Sequence, residues 1–174
     1  MTMFLQSAFY VAAVIAIIST AMAITRTVAV HALLYLIVSL LAIGVVFYAM
    51  GAPLLAALEV IIYAGAIVVL FLFVVMMLNL GGEARQSERQ WLSGKSWAGP
   101  IILSAILLAE VIYLIVRAQP AGGIGAMVGP REVGLALYGP YLIGVELASM
   151  LLLGAVVGAS HLGRSAPGRT GAGT

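Results

Sequence analysis

The chain has 174 residues, 64% of them hydrophobic and only 8% charged, with 8 basic and 6 acidic side chains and no cysteine. A soluble domain carries about a quarter charged residues, so this composition excludes a water-facing globular surface, and its hydrophobicity excludes intrinsic disorder. The missing cysteines exclude a disulfide scaffold and thiol catalysis, and a net charge of +2 gives no reason to expect a nucleic-acid partner. The composition predicts an integral membrane protein whose main contact is the lipid bilayer.

Charged residues divide the sequence into five apolar stretches, each near or above the roughly 20 residues that a helix needs to cross about 30 Å of hydrocarbon. The stretches are too continuous for the alternating strands of a membrane barrel, which are about 10 residues long. Each proline between them is expected in the first turn of the next helix, where its missing N–H costs nothing. We therefore predict an all-α membrane protein with five transmembrane helices. They cover residues 3–24, 29–50, 54–80, 98–117 and 138–161.

Basic residues are unevenly distributed between the connections on the two sides of the membrane. Six lie on the side of the first connection and two on the other, and cytoplasmic connections carry the excess of basic residues. The N-terminus is therefore predicted outside the cytoplasm and the C-terminus inside it. The six are Arg26, Arg85, Arg89, Lys95, Arg164 and Arg169, and the two are Arg117 and Arg131.

The segments between and after the last three helices differ in composition. Residues 81–97 are predicted to form a charged cytoplasmic loop with two tryptophans as interfacial anchors. Residues 118–137 are rich in glycine and are expected to form an irregular external loop. Residues 1–164 would then make a single transmembrane domain, followed by a disordered cytoplasmic tail at 165–174.

The third predicted helix carries a glutamate inside the membrane. Tyr63 lies four residues after Glu59, so both side chains are expected on one helix face. The small residues Gly65 and Ala66 follow and would let another helix or water approach closely. Two interpretations stay open, since Glu59 could carry protons beside a gate or could be a structural glutamate that hydrogen-bonds a neighbouring helix.

The third predicted helix is also longer than a membrane crossing requires. Residues 54–80 at 1.5 Å per residue extend for roughly 40 Å, which exceeds the thickness of the hydrocarbon layer. The excess can be taken up by tilt of the helix. It can also reflect a π-bulge near residues 63–66, since such bulges recur at functional sites. The sequence alone leaves both explanations open.

Other ionisable residues in the spans have less distinctive surroundings. Glu146 falls near mid-bilayer in the fifth helix, where a proton relay and a structural hydrogen bond are both possible. Glu110 lies nearer the end of the fourth helix, where it could face an aqueous vestibule or pair with Arg117. His31 and His161 are expected to be interfacial anchors at helix ends. No spacing of ligands suggests a metal site.

Three segments resemble one known family. Residues 30–36 (VHALLYL), 58–78 (LEVIIYAGAIVVLFLFVVMML), and 139–141 with 145–153 (GPY and VELASMLLL) are similar to the subunit J family, mitochondrial subunit 6, of respiratory complex I. Complex I is the proton-translocating NADH:quinone oxidoreductase. The second segment is the most distinctive of the three. The resemblance extends over about residues 8–164.

The resemblance implies a non-catalytic core membrane subunit with no active site of its own. No cofactor is expected in this chain, whereas FMN, iron–sulfur clusters and quinone are expected in the assembled complex. The implied partners are the other membrane-arm subunits, chains A, H, K and N. The implied location is the bacterial inner membrane, with the N-terminus in the periplasm and the C-terminus in the cytoplasm.

The resemblance also implies a mechanism for the third helix. The family carries a π-bulge at the positions of residues 63–66, and this helix is reported to turn between enzyme states and so control a water wire. Glu59, Tyr63, Gly65, Ala66 and Glu146 match the family's segments and are expected on the proton path or in its gating, whereas no family role transfers to Glu110. Two alternatives remain: a structural scaffold of the membrane arm, or the related subunit of a cation/proton antiporter or membrane hydrogenase.

Overall fold

A computed structural model describes residues 2–78, 94–117 and 127–163 of the chain. Within these ranges the structure is helical with short turns and has no strand, and five helical spans are long and apolar enough to cross a membrane. The prediction of an all-α, multi-pass membrane protein is confirmed. The helical elements are α1 (Thr2–Thr25), α2 (Ala29–Ala49), α3 (Pro53–Leu58), a π-segment (Glu59–Ile67), α4 (Val68–Leu78), α5 (Gly94–Arg117), α6 (Pro130–Leu137) and α7 (Leu142–Gly163).

Helices α1 and α2 form an antiparallel hairpin held by small residues and hydroxyl groups. A buried stripe on α1 has the spacing of one helix face, and its small members allow close approach of the backbones. The Ser39 hydroxyl on α2 donates to the Ala16 carbonyl at 3.2 Å and lies 2.7 Å from the Thr20 hydroxyl. Polar pairs of this kind fix which faces of two apolar helices meet. The stripe consists of Ala8, Ala12, Ile15 and Ser19.

Helix α5 packs against this hairpin and completes a three-helix core. Tyr35 on α2 lies so close to Gly99 on α5 that a Cβ atom at position 99 would overlap the tyrosine hydroxyl. His31, predicted as an interfacial anchor, is buried with its ring edge-on to Trp97, at 6.3 Å between ring centroids. The core residues are Ala12, Ile15, Val38, Ala42, Val45 and Leu107.

The start of α5 differs from the prediction. The helix begins at Gly94 instead of residue 98, so Pro100 lies inside it and not in its first turn. Proline has no N–H to donate to the carbonyl four residues earlier, and an internal proline usually kinks a helix. The contact of Trp97 with His31 stabilises the additional turn, which local propensity alone does not predict.

The turn between α2 and the third span depends on one glycine. Gly51 has a φ of 87°, which residues with a Cβ rarely adopt. Its N–H donates to the Tyr48 carbonyl at 3.0 Å, and its carbonyl accepts from the Val128 N–H at 2.9 Å. Pro53 then occupies the first turn of α3, as predicted.

The chain divides into two compact units, residues 1–129 and 130–174. In the second unit, residues 130–137 form helix α6, so the prediction of an irregular loop throughout 118–137 is wrong there. Pro130 at the first position and Glu132 in the first turn are both favourable at a helix start, and the glycine content obscured them. Helix α7 follows after a tight turn, and none of its residues is buried.

Several predictions fall on residues outside the described ranges. Most of the predicted cytoplasmic loop 81–97, the first part of the predicted external loop and the tail 165–174 lie there. Arg85 and Arg89, which the count of basic residues uses, lie there too. The orientation of the chain in the membrane therefore stays a prediction.

Candidate functional site in the third span

The third membrane span consists of three helical pieces. An α-helical turn and a half at Pro53–Leu58 leads into the π-segment Glu59–Ile67, and α4 continues from Val68. The π-bulge expected at residues 63–66 is present, and at nine residues it is longer than the single turn in which π-helix usually occurs. A π-helix rather than uninterrupted α-helix therefore accounts for part of the unusual length of this span.

Gly65 makes the wide turn of the π-segment possible. A Cβ atom at this position would lie 3.1 Å from the Val60 carbonyl oxygen, five residues earlier, which is tighter than almost all real contacts. The i→i+5 hydrogen bonds of a π-helix are what bring residues five apart into this contact. At the end of the segment the Val68 N–H donates to the carbonyls of Tyr63 and Gly65.

The predicted site residues of the third span have different surroundings. Glu59 is buried, with 8% of its surface exposed, whereas Tyr63 is 50% exposed. Gly65 is half-buried and Ala66 is exposed. The π-segment thus contains four of the predicted residues, but the prediction that Glu59 and Tyr63 share one face is not met, since the carboxyl is buried and the tyrosine is exposed. In a π-helix the residue one turn after Glu59 is Ala64, five residues on, and not Tyr63.

Helix α2 supports the π-segment at Gly44, a residue that the sequence analysis did not select. A Cβ atom at Gly44 would meet the Val60 Cγ2 atom at 3.3 Å and the Ala56 carbonyl oxygen at 3.6 Å. A glycine inside an apolar membrane helix is a known signal of close helix approach. The hydropathy of α2 does not show which helix approaches Gly44, and in the structure it is the third span.

An apolar groove of about 840 Å³ borders the same segment. Its walls come from α2, the third span and α5, and Val60 and Ile61 of the π-segment project onto it. Almost every lining residue is apolar. The groove therefore provides space beside the π-segment into which its side chains can move.

Glu146, the fifth predicted residue, lies on α7 in the second compact unit and is exposed. The Ser149 hydroxyl donates to its backbone carbonyl at 2.9 Å, so this bond does not involve the carboxyl. In the part of the chain that the structure describes, no three His, Asp or Glu side chains come together as a metal-binding group.

Glu110 is, with Glu59, one of two glutamates inside the membrane spans of the first compact unit. Both carboxyl oxygens are buried, and neither has a hydrogen-bond partner among the described residues. The aqueous vestibule considered from the sequence is therefore not what surrounds this carboxyl. The other option, a pair with Arg117, depends on a side chain outside the described part of the structure.

Comparison with known proteins gives a consistent result over most of the chain. The family model for NADH-ubiquinone/plastoquinone oxidoreductase chain 6 matches residues 19–162. NADH-quinone oxidoreductase subunit J of Escherichia coli strain K12 is 54% identical over 160 residues, which cover 92% of this chain and 87% of the relative. The subunit J of Pseudomonas aeruginosa is 54% identical over 161 residues (92% and 97%), and that of Buchnera aphidicola from Schizaphis graminum is 46% identical over 160 residues (92% and 98%).

Proposed function

Because this chain belongs to the NADH-ubiquinone/plastoquinone oxidoreductase chain 6 family, we propose that it is a non-catalytic membrane subunit of a proton-translocating NADH:quinone oxidoreductase. Its part in the enzyme would be to couple quinone reduction to proton movement through the third span. The observation that carries this proposal is the nine-residue π-segment at Glu59–Ile67.

A π-segment in a membrane helix allows two helix registers. If the i→i+5 bonds re-pair as i→i+4, the part of the helix that follows rotates by about 100° and shifts by about 1.5 Å along the axis. These are the rotation and rise of one α-helical residue. Packed elements of this kind have discrete arrangements that differ by a few kcal/mol, so small changes at a distance can select one of them. The groove beside Val60 and Ile61 supports this proposal because it gives the rotating side chains room.

Each site residue has a specific part in this proposal. Tyr63 supplies a hydroxyl whose position changes as the helix turns, and Gly65 permits the π register. Ala66 leaves space for water or a neighbouring helix. Glu59 supplies a titratable group, and Glu146 would act in the same proton path from the fifth span, a role that rests on its match to the family.

The setting of the subunit follows from the same proposal. We expect association with other subunits of the complex, chains A, H, K and N among them, and a location in the bacterial inner membrane with a periplasmic N-terminus. FMN, iron–sulfur clusters and quinone would belong to the assembled complex. This chain would bind neither FMN nor an iron–sulfur cluster.

The substitution Gly65→Val tests the register change in the assembled enzyme. Its side chain would press on the Val60 carbonyl oxygen only in the π register, and overpacking of this kind costs about 1–3 kcal/mol. We expect the balance to shift toward the α register, with a fall of about tenfold in quinone reduction coupled to proton pumping. Tyr63→Phe should reduce pumping without this steric effect.

A matched control is Gly158→Val on α7, where an added Cβ meets no described atom within 4 Å. This variant should leave the balance between the two helix registers of the third span unchanged. If Gly65→Val and Tyr63→Phe leave NADH oxidation, proton pumping and the deactive transition unchanged, the coupling role is wrong.

A scaffold role is the second candidate, and the exposed apolar surface of α7 favours it. A helix that is apolar all round and buries nothing of its own is suited to packing between other subunits. The variants Glu59→Gln and Glu146→Gln separate the two functions. If these glutamates relay protons, both variants should lose proton pumping while the complex stays assembled. If the chain is only a scaffold, the variants should either fail to assemble or behave as the natural chain does.

A further inference from the structure

Glu110 on α5 is a buried carboxyl that the proposed role of the third span does not use. Both oxygens are buried without a hydrogen-bond partner among the described residues. Buried polar groups in native proteins nearly always have a partner, so each exception needs an explanation. An ionisable group inside a membrane helix is normally functional.

Glu110 is half-buried and lies on the side of its helix that faces the core. On α5 it lies between Leu107 and Leu114, at the three- and four-residue spacings that place side chains on one face. Leu107 belongs to the buried core of the three-helix packing, and Leu103 and Leu114 pack against that core. A leucine at position 110 would continue the apolar stripe without an unpaired polar group.

The helix contacts fix the depth of this carboxyl. Gly99 lies against Tyr35, and Glu110 follows Gly99 by 11 residues, about 16 Å along the helix axis. The core on this side of α5 includes Leu107, one helical turn before Glu110, and Ala12 on α1. The Ser19 hydroxyl on α1 is also buried without a hydrogen-bond partner among the described residues, so it does not bond Glu110.

The titratable groups around Glu110 are few. Among the described residues of α1, α2 and the turn that joins them, the charged or imidazole side chains are Arg26 and His31, and both lie at the opposite end of the packing. Tyr10 on α1 and Tyr48 on α2 are exposed. Tyr113 follows three residues later on α5 itself. An ionised carboxylate at position 110 would therefore be an uncompensated charge in an apolar medium, which is strongly unfavourable.

We propose that Glu110 is a second protonation site of this chain, which holds a proton while α1, α2 and α5 are closely packed and releases it to water when that packing opens. The proton comes from and returns to water at the Arg117 end of α5, about 10 Å along the helix, and no electron moves in this step. The proposal rests on membership of a proton-translocating enzyme but not on the register change in the third span.

Pro100 gives α5 a place to bend. It lies inside the helix, ten residues before Glu110, and leaves one carbonyl without its helical donor. The segment before it is held by the contacts of Trp97 and Gly99 with α2. A hinge at this point lets the part of α5 that carries Glu110 move away from α1 and α2 while the other end stays in place.

Infrared difference spectroscopy of the assembled enzyme, between the resting state and turnover with NADH and quinone, tests the proposal. The carbonyl stretch of a protonated carboxylic acid should change on turnover in the natural chain and in Glu59→Gln, and this signal should be lost in Glu110→Gln. Protons pumped per NADH should fall in Glu110→Gln. Glu110→Leu, which fills the same core position without a titratable group, should show the same losses.

Two outcomes overturn the proposal: no carboxylic signal depends on position 110, or both Glu110→Gln and Glu110→Leu pump as the natural chain does. If neither variant assembles, Glu110→Asp decides the matter, because the signal must then move in frequency, and an unmoved signal refutes the proposal. Failure of the register change is seen separately, since Gly65→Val should leave the Glu110 signal in place.

Discussion

The α1–α2 hairpin and the third span are both apolar membrane helices, but they are stabilised in different ways. In the most apolar stretch of α2, 39% of the residues are buried within the chain, against 6% in the third span. The hairpin has a regular backbone, an alanine-rich contact and a hydroxyl pair. The third span has a π-segment, a half-exposed tyrosine and a groove beside it. The hairpin is thus a closely packed platform, whereas the third span is the region that we propose is able to change.

The largest effect is expected from disturbing the platform. Ala12→Leu places three additional carbons where the side chain is now completely buried, and overpacking a tight helix contact costs about 1–3 kcal/mol or more. We expect little assembled complex in membranes, measured as the yield of purified enzyme. Ala21→Leu on the exposed face of the same helix is the control and should assemble normally. Equal yields for both variants would show that the hairpin contact is not close.

An intermediate effect is expected where the platform, at α2, meets the third span. Gly44→Ala adds a methyl group 3.3 Å from the Val60 Cγ2 atom, so it should disfavour the π register by about 1 kcal/mol and lower coupled activity several-fold. Val60→Ala removes the opposing methyl groups, and the double variant should recover most of the activity. Losses that simply add in the double variant would mean that Gly44 and Val60 act independently.

The smallest effect is expected from the hydroxyl pair. Ser39→Ala removes the bonds to Thr20 and to the Ala16 carbonyl, and interhelical hydrogen bonds in membranes contribute about 0.6 kcal/mol on average. We expect a slightly lower temperature of thermal inactivation with unchanged turnover. Thr25→Val, which loses hydroxyl bonds only to carbonyls of its own helix, should change that temperature less. A larger loss from Thr25→Val than from Ser39→Ala would contradict this account.

The sequence predicts those features that depend on a long run of similar residues. Continuous apolarity sets the number and approximate position of the spans, because the bilayer requires the same length of each. The start of α5 differs from the prediction because the helix begins at Gly94, before Pro100, in a stretch where Trp97 contacts His31 on α2. Helix α6 is not predicted, because the surrounding glycines obscure the favourable helix start at Pro130 and Glu132.

The candidate site was only partly predictable for a related reason. Glu59 stands out because a carboxyl is rare in an apolar helix. The choice between tilt and a π-segment is a choice of backbone hydrogen bonding, and the hydropathy of the third span is compatible with both. Gly44 matters only because Val60 lies against it, and a pairing of that kind appears once the helices are in place.

The π-segment also affects which changes of chain length this span can accept. The wide turn of a π-segment holds an additional residue compared with an α-helical turn, while the α-helix before it and after it keeps its normal hydrogen bonding. Removal of a single residue between Glu59 and Ile67 can thus be absorbed by closing the wide turn, whereas the same deletion in α2 would rotate every later side chain by about 100°. Such a deletion is accordingly expected to leave the rest of the span folded and in place, but to remove the wide turn on which the proposed coupling depends.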